Sequence, residues 1–264
     1  MLKAGLSYRQ PMAVWIDGNP RLADFLEIPA EVFVRPEMAN RLAMLSRAYP
    51  LSIRSTSLSL ATPGAIPEDL LRPLADIATA VGALWVSEPV GFRRTGETTL
   101  KIHCPAVPND DSIAIIAEHT KEVSGRSGCP VLIETMSSPL RFGDPLDEPD
   151  FLNRLCERSG CRLLLDLTAL CIDARRHGFV AARWLSGLDP AAIAMLRLSG
   201  DTARDGRPTG GESAAIPAET WDLARQAISR SPDAGALMEH DLHIPAVDAL
   251  ESELATIRTL AGAA

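Results

Sequence analysis

Three apolar runs in the second half of the chain each close around one acid. Pro130–Met136 (PVLIETM) carries Glu134, Arg162–Leu170 (RLLLDLTAL) carries Asp166, and Gly235–Asp241 (GALMEHD) carries Glu239. A carboxylate at the end of a hydrophobic strand needs a cation or several donors once it leaves water. Three of them in register form a donor set suited to a divalent metal ion. A fourth run, Ile193–Gly200 (IAMLRLSG), lies between the last two and carries Arg197 instead. The chemistry available depends on how these acids and this arginine are combined.

The elements that position them follow from the apolar pattern. Strands are expected at 4–8, 24–29, 51–58, 83–90, 131–136, 162–167, 193–199 and 236–240. Most are continuous apolar runs, as in strands covered on both faces. Helical patterns at 66–82, 109–125, 216–229 and 245–262 lie between them, with Pro67 and Asn109 as start signals and Gly82 and Gly125 as stops. Eight strands alternating with helices predict a single (β/α)8 barrel domain over residues 1–264. A doubly wound open sheet is the alternative, but no Gly-rich phosphate loop follows the first strand. Active sites of barrels lie at the C-terminal strand ends. Glu27, Arg54, Glu88, Glu134, Asp166, Arg197 and Glu239 all fall at or near such ends, and Gly200–Gly211 and Arg141–Pro149 have the composition of loops over the mouth.

Composition narrows the function classes. With 264 residues, 46% of them hydrophobic and 23% charged, the chain supports a full core. A net charge of −8 argues against a nucleic-acid partner. No apolar run approaches the ~18–20 residues of a membrane span, and MLKAGLSYRQ lacks the apolar stretch of a signal peptide. Five scattered cysteines suit a reduced cytoplasm. Cys156 and Cys161 have no second pair to complete a metal pattern and are expected to be structural. His103 and Cys104 are neighbours on an extended segment, where side chains diverge. His119 is expected on an exposed helix face, His177 in packing, and His240 and His243 leaving the last strand towards surface or loop.

On these residues the chain resembles the multinuclear non-haem iron-dependent oxidative enzymes, the xylose-isomerase-like barrels that include the methanobactin biosynthesis protein MbnB and modify cysteines in ribosomally made precursor peptides. The matching pieces run in order over residues 4–250: DFLEIPAE (24–31), LSIRSTSLSLA (51–61), VSEP (86–89), LIET (132–135), GCRLLLDLTAL (160–170), RHG (176–178), LRLSG (196–200), PAETW (217–221) and LMEHDLHIP (237–245). The resemblance implies an iron site, yet the chain departs from it at the ligands. Arg54, Pro89 and Arg197 stand where the family has histidines, Asp166-Leu167-Thr168-Ala169 replaces Asp-Val-Asn-Asn, and an Asp-x-His pair aligns with Gly210 and Glu212. Glu134, Asp166 and Glu239 are retained.

Two functional readings follow. In the first, Arg54 and Arg197 cross the mouth and neutralise the acids, so that no multinuclear iron cluster is expected. The mouth then binds a precursor peptide or partner protein, with Glu27, Glu88, Arg54 and Arg197 as contact residues. In the second, Glu134, Asp166 and Glu239, helped by Glu212, hold one magnesium, manganese or iron ion for an enzyme of the oxidoreductase or isomerase/lyase type acting on a small polar substrate. The third possibility is a solvated ion-pair network with no ligand.

Overall fold

The computed structural model describes residues 4–19, 21–96, 98–141, 146–200, 203–204, 207–208, 215–241 and 244–262. Eight parallel strands close into a barrel: β1 Ala4–Ser7, β2 Phe25–Pro29, β3 Leu51–Arg54, β4 Val86–Pro89, β5 Val131–Glu134, β6 Arg162–Asp166, β7 Ile193–Ser199 and β8 Gly235–Glu239. Each strand pairs with its sequence neighbour, and β8 closes on β1. This is the expected (β/α)8 architecture. The helices Glu68–Val81, Asp110–Ser127, Ala218–Arg230 and Val247–Gly262 lie within two residues or so of their predicted bounds. Asn109 caps the second of them by accepting from the Ser112 N–H at 2.8 Å.

Residues in register across neighbouring strands face the same side of a sheet, so the pairing assigns each side chain to lumen or outer wall. The lower lumen is apolar: Phe25, Leu132, Leu164, Met195 and Leu237 form one cluster, capped by an edge-to-face contact of Phe25 with Trp85 at 5.0 Å. Gly5 makes room for it, because a Cβ there would lie 2.1 Å from the Phe25 ring. The alternate positions, among them Leu26, Ile53, Ile133 and Leu163, join the outer core beneath the helices. Two residues further along the same lumen-facing rows, the side chains become Glu27, Glu134, Asp166, Arg197 and Glu239, and Arg54 joins them from β3. An apolar storey thus supports a charged one.

Three features differ from expectation. An antiparallel hairpin, Gly91–Thr95 with Thr98–Pro105, follows β4. Its first residue is glycine because a Cβ would lie 2.3 Å from the Cys104 carbonyl oxygen. The third strand stops at Arg54, and the serine-rich segment after it turns back as a loop. His119 is buried rather than exposed, its ring nitrogens 2.8 and 2.7 Å from the carbonyl oxygens of Leu60 and Gly64. It fastens that loop to the helix Asp110–Ser127. Of the two expected mouth loops, residues 201–202, 205–206 and 209–211 of one and 142–145 of the other lie outside the described residues.

Candidate functional site

Arg197 lies at the centre of the charged storey and is fully buried. Its Nη2 donates to both Glu27 oxygens at 3.0 Å and to Glu134 Oε2 at 3.3 Å, and its Nη1 donates to Glu239 Oε2. Arg54 completes the set from β3. Its Nε and Nη2 grip Glu134 bidentately at 2.9 and 2.5 Å, and its Nη1 donates to Glu239 Oε1 at 3.0 Å. A third guanidinium, Arg9, reaches in from just beyond β1 to Glu239 Oε1 and Asp241. Ser7 Oγ donates to Glu27 at 2.8 Å. Every carboxylate oxygen of Glu27, Glu134 and Glu239 therefore accepts from at least one guanidinium.

The electrostatics follow from burial set against these partners. Burial alone raises a carboxyl pKa, but around Glu239 it is outweighed by Arg197, Arg54 and Arg9, which hold that carboxyl below the usual carboxylate range. At Glu27 burial wins over Arg197 and Arg54, and the pKa is raised. Arg54 and Arg197 both lose to desolvation but gain more from the three glutamates, so each is held above its ordinary value. The storey is an ion-pair plug of three arginines and three glutamates.

Two predicted members behave differently. Asp166 faces the lumen in register with Arg197, yet among the described residues no guanidinium is hydrogen-bonded to it. Its Oδ1 caps the helix Leu167–His177 by accepting from the Ala169 N–H at 2.8 Å, and burial pushes its pKa up to about 7. Glu88 is in register with Ile133 of the outer core, so it points away from the mouth. It accepts from the Ser59 N–H at 3.1 Å and holds the loop after β3. Its assignment to the mouth is corrected: the strand VSEP has serine, not glutamate, in the inward phase. Arg9 is not among the residues expected at the mouth, although it directly follows AGLSY. Glu212, Gly210 and His243 lie outside the described residues.

The remaining histidines serve structure. His240 is buried, not turned outward, and its Nε2 lies 2.7 Å from Glu253 of the last helix. His103 and His177 meet the carbonyl oxygens of Thr56 and Ser138, each at 2.8 Å. Arg54, Pro89 and Arg197, the positions where the resemblance implies histidine ligands, all face the lumen beside the acids, and none offers a metal a lone pair. Among the described residues, no group of three or more histidine, cysteine or acidic side chains is arranged to hold a metal ion.

Beside this plug lies a cleft of about 1050 Å³. It begins at Val90, whose N–H donates to the Glu134 carbonyl oxygen at 2.8 Å, and its wall includes Met136, Leu140, Phe179 and Trp184. Cleft and plug thus adjoin at the end of β5.

Glu88 gives a direct pH prediction. Burial holds its proton in the folded state up to about pH 8, whereas the ordinary value is 4.5. The folded state binds the extra proton, so this stabilisation is complete below the unfolded value and declines as pH rises towards 8. Glu88→Gln should remove that dependence. Urea melts at pH 5 and pH 8 should show the variant gaining on the parent with rising pH, by up to ~1.4 kcal/mol per pH unit. A constant difference across the range would contradict a proton held on Glu88.

Comparison with known proteins agrees with this architecture. Among solved structures, a D-psicose 3-epimerase crystallised in the presence of D-fructose superposes with a TM-score of 0.62 at 14% identity, covering 100% of this chain and 92% of its own. A xylose isomerase-like TIM barrel protein from Mycobacterium smegmatis in complex with magnesium gives 0.61 at 14% identity, covering 100% and 97%. At such identities the likeness shows the fold. In sequence, a UPF0276 protein of Rhizorhabdus wittichii is 28% identical over 263 residues, 98% of this chain and 95% of the relative. A UPF0276 protein of Caulobacter vibrioides is 27% identical over 262 residues, 96% and 92% of the two. The model of the RiPP precursor modification enzymes MbnB/TglH/ChrH matches residues 3–262, nearly the whole barrel with every strand of the charged storey, and the chain belongs to that family.

Proposed function

We propose that this chain serves ribosomal-peptide maturation in the cytoplasm as a binding member of its family, with an arginine–glutamate plug in place of a multinuclear iron centre, and that it engages a precursor peptide or partner protein at the barrel mouth. The observation that carries this reading is the occupation of all six oxygens of Glu27, Glu134 and Glu239 by guanidinium groups. Iron ions need carboxylate and imidazole lone pairs in a set geometry. Here the carboxylates are engaged, the imidazole positions hold Arg54, Pro89 and Arg197, and the fixed positive charges repel a cation. The residues present do not fit the cluster. The adjoining cleft of about 1050 Å³, lined by apolar side chains such as Met136 and Trp184 and by charged ones such as Arg141, Glu148, Asp173 and Arg183, offers peptide-sized room beside the plug.

Elemental analysis of protein purified without chelator from iron- and manganese-supplemented cells tests the metal half of this reading. Well under one equivalent of any transition metal per chain is expected. One tightly held ion per chain, lost in Glu134→Ala, would favour the single-ion enzyme instead.

A further inference from the structure

Cys156 lies in the last full turn of the helix Glu148–Ser159, and Cys161 immediately precedes β6. The chain reverses between them at Gly160, whose φ of 75° is left-handed and whose N–H donates to the Cys156 carbonyl oxygen at 2.9 Å. The reversal is fixed again by Ser159 Oγ, which accepts from the Cys161 N–H at 3.2 Å. It leaves the two sulfurs in contact, Sγ to Sγ 3.8 Å, with Cys161 buried in the core and Cys156 packed against it. The pair stands at the N-terminal end of β6, at the opposite end of the strand from Asp166 and the mouth.

We propose that Cys156 and Cys161 form a reversible redox-modification site, a dithiol that low-molecular-weight disulfides convert to an intramolecular disulfide. The sulfurs must close by roughly 1.8 Å to reach a bond of ~2.0 Å, within the reach of a side-chain rotation in a turn already formed. Contact between the thiols also eases the first ionisation: Cys156 holds the Cys161 thiol below its ordinary value, while its own is pushed up.

The chemistry balances with glutathione disulfide as oxidant. The Cys161 thiolate attacks one of its sulfurs, breaks the S–S bond and releases one glutathione. Cys156, losing its proton, then attacks Cys161 Sγ in the mixed disulfide and releases the second. The protein sulfurs lose two electrons in all, glutathione disulfide gains them, and the two thiol protons end on the two glutathiones. The product staples the helix Glu148–Ser159 to β6 at the base of the barrel.

Reduced, folded protein incubated with glutathione disulfide, then denatured and alkylated, tests the site by intact mass and peptide mapping. The expected product lacks two hydrogens, shows Cys156 and Cys161 linked to each other and the other three cysteines alkylated, and reverts with dithiothreitol. In Cys156→Ser the product should stop at a mixed disulfide on Cys161 or remain unmodified. Alkylation of all five cysteines in the parent, separate glutathione adducts on Cys156 and Cys161, or an unchanged intramolecular product in Cys156→Ser would each overturn the proposal.

Discussion

Arg197→Met should destabilise the protein by ~3–5 kcal/mol at neutral pH, the cost of removing one partner from a buried charge network. The substitution keeps much of the volume and deletes the one group that contacts Glu27, Glu134 and Glu239 together. Arg54 and Arg9 still reach Glu134 and Glu239, but neither is hydrogen-bonded to Glu27. Glu27 is 1% exposed, so it would be left as a buried acid with Ser7 as its remaining side-chain partner among the described residues. The loss should shrink as Glu27, whose carboxyl pKa burial already raises, takes up a proton, making the variant relatively better at pH 4.5 than at pH 7.5. The double variant Arg197→Met/Glu27→Gln should recover part of the loss, because it removes the orphaned charge along with its partner. Urea denaturation of the three proteins at both pH values measures this. A loss under 1 kcal/mol for Arg197→Met, equal at both pH values, would mean that the plug is hydrated and carries little of the fold's stability.

The fold and the plug differ in how far the amino-acid order discloses them. The eight strands are legible because burial on both faces leaves continuous apolar runs, and a barrel follows from their alternation with helices. That Arg54 and Arg197 meet the acids was accessible too, since charges at the ends of successive barrel strands converge on one mouth. Phase was harder. Glu88 lies one residue from an inward position, and in a strand one residue reverses the face. Nothing in VSEP alone chooses between the serine and the glutamate; the register with β5 does. Asp166 was legible as an acid at a strand end but not as a helix cap, because Leu167–His177 was not recognised as a helix. The hairpin Gly91–Pro105 escaped because it packs little apolar surface and so leaves no run. His240 reads as leaving the last strand towards the surface because its partner, Glu253, comes from the helix that packs back over that strand.

The family relationship and the plug make different demands on the same positions, and this sets up the second large effect. By resemblance, histidines belong where Arg54 and Arg197 stand, and both positions face the lumen within hydrogen-bond distance of Glu134 and Glu239. Replacing both with histidine removes two fixed positive charges, frees oxygens of Glu134, Glu239 and Glu27, and adds two imidazole donors on the same rows. The double variant Arg54→His/Arg197→His should bind Co²⁺, a spectroscopic stand-in for iron, at least tenfold more tightly than the parent, about 1.4 kcal/mol or more. The absorption bands of bound Co²⁺ should saturate near one equivalent rather than several, because Pro89 lies in register with Glu134 and still offers no donor. Arg54→His alone should gain less, since Arg197 would remain among the acids. Binding no tighter than the parent, in a double variant whose circular dichroism shows it folded, would mean that the three glutamates do not converge on one point once the guanidiniums are gone. Tight binding would instead show that the acidic half of a metal site persists here, and that the arginines are what keep it from a metal ion.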